Sequence, residues 1–113
     1  MLHRRRFAAV LLFSLFGATA ARAQSGVLIG TTTDAFTHEP LAGVLVTVVG
    51  ADATAPKTAT TDSDGNYRIA DLAPGTYAVQ SAKAGYHTFV RRDVQVRLNR
   101  TLRINAELLE RAP

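Results

Sequence analysis

The sequence contains no cysteine. This excludes disulfide staples, a thiol nucleophile and a thiolate metal site, and it leaves no thiol for lipid attachment at a cleavage point. No apolar run approaches the ~20 residues that a membrane-spanning helix needs. Beyond the first two dozen residues, no stretch of ten or more follows a helical period. There is no G-x-S-x-G elbow and no H-E-x-x-H pair, so the common nucleophilic and zinc-hydrolase constellations are missing.

The first residues differ in composition from the rest. Arg4, Arg5 and Arg6 precede an apolar run from Phe7 to Phe16 that is broken only by Ser14, and small residues follow. A charged start, a short apolar run and an A-x-A site define a secretory signal peptide. Ala21-Arg22-Ala23 supplies the site, so residues 1–23 are expected to be removed before Gln24, with Ala18-Thr19-Ala20 as the weaker site. The 13 basic and 9 acidic residues give the whole chain a formal charge of +4. Four of the arginines (Arg4, Arg5, Arg6, Arg22) and none of the acids lie in the leader. Residues 24–113 therefore balance at nine against nine. The basic character belongs to the leader and is no argument for a nucleic-acid partner.

The remaining chain alternates with the period of two that marks strands. A first strand is expected near Val27–Thr33. Its pattern leaves open which face is buried. Val44 to Val49 is apolar on both parities, which predicts a strand covered on both faces. Tyr67 and Ile69, Tyr77 and Val79, then Val94, Val96 and Leu98, and finally Leu102, Ile104, Ala106 and Leu108 are expected to face the core. Turn residues separate these runs at Thr37–Pro40, Asp62–Asn66, Pro74-Gly75, Gly85 and Asn99-Arg100. Gly65 is placed to take a positive φ. Short strands at such spacing predict an all-β sandwich.

The stretch Gly30-x-Thr32-x-Asp34, then Thr37-x-x-Pro40-Leu41-x-Gly43-Val44-x-Val46-x-Val48-x-Gly50, resembles the opening of a carboxypeptidase regulatory-like domain. Thr61-Asp62-x-x-Gly65-x-Tyr67-x-Ile69-x-x-Leu72-x-Pro74-Gly75-x-Tyr77-x-Val79 and Gly85-Tyr86 continue the likeness, which covers about Gly26 to Leu109. It implies a seven-stranded Greek-key sandwich of the transthyretin (prealbumin-like) type, related to immunoglobulin-like and carbohydrate-binding-like sandwiches. It brings no catalytic residue. Such domains accompany metallocarboxypeptidases and often stand at the N-terminus of TonB-dependent outer-membrane receptors. Two positions depart from the family pattern. His38 replaces the usual glycine before the proline, which implies a less tight turn. Thr32 replaces an apolar residue in the first strand.

The residues offer little chemistry. Asp62-Ser63-Asp64-Gly65-Asn66 fails the EF-hand spacing, because Tyr67 and Ala73 stand where glycine and glutamate are required. A turn in which Asp and Asn bond local backbone is the better account. His38 and His87 are expected at the surface. The C-terminal Glu110-Arg111-Ala112-Pro113 does not match the Y-R-G-S tail of a transthyretin-related hydroxyisourate hydrolase. Arg91, Arg92, Arg97, Arg100 and Arg103 could form a basic face for an anionic partner, although charges on edge strands also block edge pairing. Tyr86 and Phe89 are the freer aromatics. Tyr86, Phe89, Arg91 and Arg92 are therefore the candidate surface contacts, with no catalytic, cofactor-binding or metal residue expected.

The sequence thus predicts an exported, non-enzymatic module without a cofactor, located in the periplasm, at the outer membrane or outside the cell. Its partner would be an envelope protein or a glycan. The expected role is accessory to TonB-dependent transport. The alternatives are a secreted carbohydrate- or surface-binding module and a regulatory partner of a metallocarboxypeptidase.

Overall fold

The period-two alternation builds eight strands in the computed structural model, which describes residues 25–51 and 55–112. The expected signal peptide, 1–23, lies outside the described residues. The strands are β1 (Gly26–Asp34), β2 (Leu45–Gly50), β3 (Lys57–Thr60), β4 (Asn66–Leu72), β5 (Gly75–Ala82), β6 (Phe89–Val96), β7 (Thr101–Arg103) and β8 (Ala106–Leu108). One sheet runs β4-β1-β7, with β8 also paired to β1; the other runs β3-β2-β5-β6. No helix among the described residues is long and apolar enough to cross a membrane.

Eight strands stand where seven were expected, and the difference lies in the last one. Leu102 to Leu108 reads as a single alternating strand, but it is broken between β7 and β8. Both pieces pair parallel to β1 in one register, Val27 with Thr101 and Thr32 with Ala106. At the break the Ile104 N–H still donates to the Ile29 carbonyl, at 2.8 Å. The next donor, the Thr31 N–H, is taken by the Asn105 side-chain oxygen at 3.0 Å. An amide side chain thus replaces one rung of the ladder.

In β1 the even-numbered residues face inward: Leu28, Gly30, Thr32 and Asp34 are buried and their neighbours half-buried. A small, a polar and a charged residue take the inner face, which explains why periodicity alone did not orient the strand. Leu28, Val46, Val48, Tyr67, Ile69 and Val79 lie in the core that joins the sheets. Full burial of such side chains is worth ~1.5–3 kcal/mol each.

Two expectations about burial are corrected. The outer residues of β2 are not covered: Leu45 is 47% and Val49 41% exposed. A two-layer sandwich covers only the inner face of each sheet. Leu98 falls beyond the end of β6, in the turn before β7, and is 40% exposed rather than core.

The turns behave as their residues dictate. Gly65 has φ 79°, and a Cβ there would lie 2.5 Å from the Thr32 carbonyl oxygen. Asp62 Oδ1 accepts from the N–H groups of Asp64 and Asn66, both at 2.9 Å, so this carboxylate serves the turn. His38 adopts φ 64°. The glycine conformation is therefore kept without the glycine, and the turn stays closed by the His38 N–H donating to the Asp34 carbonyl at 2.8 Å.

Candidate functional site

Tyr86, in the loop between β5 and β6, is not the free aromatic that the sequence indicated. It packs partly buried against the core. Its hydroxyl donates to Asp34 Oδ2 at 2.9 Å. The other oxygen, Asp34 Oδ1, accepts from the N–H groups of Phe36 (2.8 Å) and Thr37 (3.0 Å). The Thr37 and Phe36 donors, followed by the Tyr86 hydroxyl, hold the Asp34 carboxyl below the usual carboxylate range. The same bond raises the Tyr86 phenol, with desolvation and the Asp34 charge adding to it. The Tyr86 backbone also bridges Glu110, and its carbonyl accepts from Arg111 Nε at 3.1 Å. Tyr86 ties two loops and the C-terminal segment together, which is a structural role.

Phe89 opens β6 and also packs against the core. With Arg91, Thr31, Thr33, Asn105 and Glu107 it lines a groove of about 660 Å³. Arg92 lines a different groove of about 250 Å³, beside Val49, Tyr77 and Ala78. Adjacent strand residues point to opposite faces, so the two arginines cannot share one. Arg97 and Arg100 border a third groove. Arg103 sits across from Ile29 on β1. The late arginines are thus distributed around the fold and do not gather into a single basic face.

The histidines also lie apart. His38 Nδ1 is 3.8 Å from Glu107 Oε2 at the surface. His87 is exposed just before β6, its N–H donating to the Leu109 carbonyl. Among the described residues, no three His, Asp or Glu side chains gather as they would to hold a metal ion. The grooves are lined by hydroxyl, amide, guanidinium and carboxylate groups beside apolar side chains. Such surfaces can bind by contact and hydrogen bonding.

Sequence reasoning missed two features. Phe36, at the tip of the turn capped by Asp34, is 85% exposed. The outer face of the β3-β2-β5-β6 sheet also exposes Leu45, Val49 and Val90, set among Thr47, Thr58 and Gln80. Its signal was present in the double parity of Val44 to Val49, which was read as burial on both sides.

The family model for the carboxypeptidase regulatory-like domain matches residues 27–109. The TonB-dependent transporter Oar of Myxococcus xanthus is 41% identical over 108 residues, which is 96% of this chain and 10% of that protein. The chain therefore spans about a tenth of this curated relative. Among solved structures, the Bacillus anthracis TIE protein superposes with a TM-score of 0.64 at 21% identity, covering 77% of this chain and 17% of that one. A candidate carbohydrate-binding protein from Bacteroides uniformis gives 0.63 at 17% identity, covering 77% and 42%. At these identities the structural likenesses speak to the fold alone.

Proposed function

Because the chain belongs to the carboxypeptidase regulatory-like domain family, we propose that it is a non-catalytic binding or scaffolding module of the bacterial cell envelope, accessory to TonB-dependent outer-membrane transport. The observation that carries this reading is the 41% identity with a TonB-dependent transporter over 96% of the chain. Residues 1–23 act as a cleaved signal peptide, and residues 24–113 work in the periplasm or at the outer membrane. The partner is another envelope protein. The shallow, open grooves suit a module that holds a partner rather than one that encloses a substrate. A glycan ligand draws support from fold likeness only, and a peptidase partner from the family description only.

The test uses the full chain in its native cells. Mass spectrometry of the exported protein should find Gln24 at the N-terminus. Fractionation should place the protein with the outer membrane, and a β-barrel transporter should co-purify with it. A mature protein that keeps Arg4 to Arg6 would overturn the export reading. Quantitative recovery from the medium, free of any barrel, would overturn the transport reading.

A further inference from the structure

Residues 24–113 carry as many cations as acids, yet the two signs are sorted along β1. Arg68 and Arg103 pair in register with Ile29. The Val27 N–H donates to the Arg100 carbonyl, and the Arg100 N–H to that of Arg97. Lys57 Nζ donates to the carbonyl of Asp71, which precedes Leu72, the partner of Gly26. Arg92 and Asp93 lead into Val94 and Val96, and Val96 packs against Gly26. Six cations therefore lie toward the Gly26 end, against Asp71 and Asp93. At the Asp34 end the balance reverses. Glu107 pairs with Thr33, the Glu39 carbonyl accepts from the Asp34 N–H, and the turn holding Asp62 and Asp64 reaches Thr32 through the Gly65 carbonyl. Glu110 bridges Tyr86, which holds Asp34. Six acids lie there, against Lys83 and Arg111. Arg91, in the groove with Glu107, lies between. The other late arginines share no face, but they share an end. Among the described residues only His38 and Glu107 come within ion-pair distance, so the signs are separated rather than paired within the chain.

Each end also carries an apolar feature, and the two differ in shape. At the Asp34 end Phe36 protrudes, 85% exposed. Its turn is fixed by Asp34 Oδ1, which accepts from the Phe36 and Thr37 N–H groups. A ring presented on a fixed turn loses little freedom when it is buried by a partner. At the Gly26 end a groove of about 180 Å³ is lined by Gln95, Val96, Arg97, Arg100, Thr101 and Leu102. An apolar cavity of ~150 Å³ holds a benzene ring, so this groove has the size of a phenylalanine side chain. Val96 and Leu102 supply its apolar lining, and its charged residues are both arginines. The charged partner of His38 beside the Phe36 turn is the carboxylate of Glu107. An aromatic knob among acids stands at one end, and a ring-sized groove between two cations at the other.

We propose that copies of this chain associate head to tail, with Phe36 of one copy seated in the Arg97–Arg100 groove of the next. This goes beyond the reading of the chain as an envelope module and does not depend on the link to transport. The sorted charges select the arrangement: two like ends repel, and two unlike ends attract. The contact joins different surfaces of the two copies, so it does not close on a dimer and leaves one knob and one groove free to add further copies. Phe36 supplies the buried aromatic anchor of the contact. Glu39 and Glu107 face Arg97 and Arg100 around it and set the orientation.

The test is sedimentation velocity on the exported protein at rising concentration, up to about 1 mM. The parent should form dimers and then longer species, and raising the salt should weaken the association by about tenfold. Phe36→Ala removes the knob and leaves the groove. Arg97→Glu with Arg100→Glu spoils the groove and leaves the knob. Each variant alone should stay monomeric, with the urea midpoint of the parent, because all three side chains are exposed. An equimolar mixture of the two should form a one-to-one dimer and nothing longer, since it holds one working knob and one working groove. Glu39→Lys is a second variant of the knob end and should behave as Phe36→Ala does, alone and in the mixture. A parent that stays monomeric, a parent that stops at a dimer, a variant that still associates alone, or a mixture that stays monomeric would each overturn the proposal. None of these outcomes bears on whether a transporter co-purifies, so the transport reading stands or falls separately.

Discussion

Tyr67 lies across the β1–β4 ladder from Gly30, and its hydroxyl donates to the Ile104 carbonyl at 2.7 Å. A Cβ on Gly30 would come within 1.9 Å of that same carbonyl oxygen and 2.7 Å of the Tyr67 ring. The glycine is therefore the space into which the tyrosine folds. Gly30→Ala should cost at least ~1–3 kcal/mol through overpacking, and Tyr67→Ala ~3–5 kcal/mol through the cavity it leaves. The nearest obstacle at Gly30 is backbone, so Tyr67→Ala should not rescue Gly30→Ala. Urea melts of both single variants and the double variant check this; rescue would show that the ring alone excludes the methyl group.

Thr32 is fully buried, and its Oγ1 has no hydrogen-bond partner among the described residues. A buried unpaired hydroxyl costs ~1–3 kcal/mol. Thr32→Val keeps the shape and removes the polar atom, so it should stabilise the domain by about 1 kcal/mol. A lowered urea midpoint would mean that the hydroxyl has a partner in solution.

His38 holds a left-handed backbone, with φ 64°. That conformation costs a side-chain-bearing residue roughly 1–2 kcal/mol, part of which glycine returns as unfolded-state entropy. His38→Gly should therefore raise stability by up to about 1 kcal/mol. Gly65→Val should lower it by more than that, since strain at φ 79° is joined by contact with the Thr32 carbonyl. Thermal melts of the two variants should move in opposite directions.

Asp34 and Tyr67 bear on the pH dependence of the fold from opposite sides. The folded pKa of Asp34 is lowered by its backbone donors Thr37 and Phe36 and then by Tyr86. Its contribution is complete above the unfolded carboxylate value of ~3.9 and is lost as pH falls through the depressed folded value. Asp34→Asn should flatten the acid limb of the stability curve. Tyr67 has the opposite sign, because burial pushes its phenol up to about 12. Its contribution is complete below ~10 and is lost as pH rises through the folded value. Tyr67→Phe should reduce the stability loss between about pH 10 and 12, as read by urea midpoints across pH.

Exposed side chains should matter little to the free domain. Arg91 and Arg92 are exposed, and Phe36 is 85% exposed. Alanine at each position should shift stability by no more than about ±0.5 kcal/mol. A larger loss at either arginine in a urea melt would reveal a paired structural group.

Strand positions were legible wherever neighbours differ in polarity. Tyr67 and Ile69 against Arg68, and Ile104, Ala106 and Leu108 against Asn105 and Glu107, went inward as the alternation demands. The Gly65 turn was legible because the Asp62 carboxylate and a positive φ are local requirements. Three features were not legible, each for a physical reason. Tyr86 looked free because its partner Asp34 lies 52 residues away. The last strand looked continuous because Asn105 supplies its rung from a side chain, which alternation does not register. Val44 to Val49 looked doubly buried because apolar parity records the chemistry of a face and not the number of layers that cover it. The candidate site was the least legible, since the face that collects Leu45, Val49 and Val90 exists only after two hairpins and the long-range β2–β5 pairing have formed.

The parallel pairing of β1 with β7 and β8 also has a mechanical consequence. The two segments run in one direction, so the chain enters the fold beside the Val27–Thr101 pair and leaves it beside Asp34–Leu108. Those two pairs stand seven residues apart along β1, roughly 23 Å at ~3.3 Å per strand residue. A pull between the ends of the domain acts along these strands, and every rung between them is loaded together in shear. None can open one at a time, as the rungs of a hairpin peeled from its end would. The resistance of such an arrangement is set by the unfolding barrier rather than by equilibrium stability. Asn105, whose side chain holds one of these rungs, shares that load with the backbone bonds on either side.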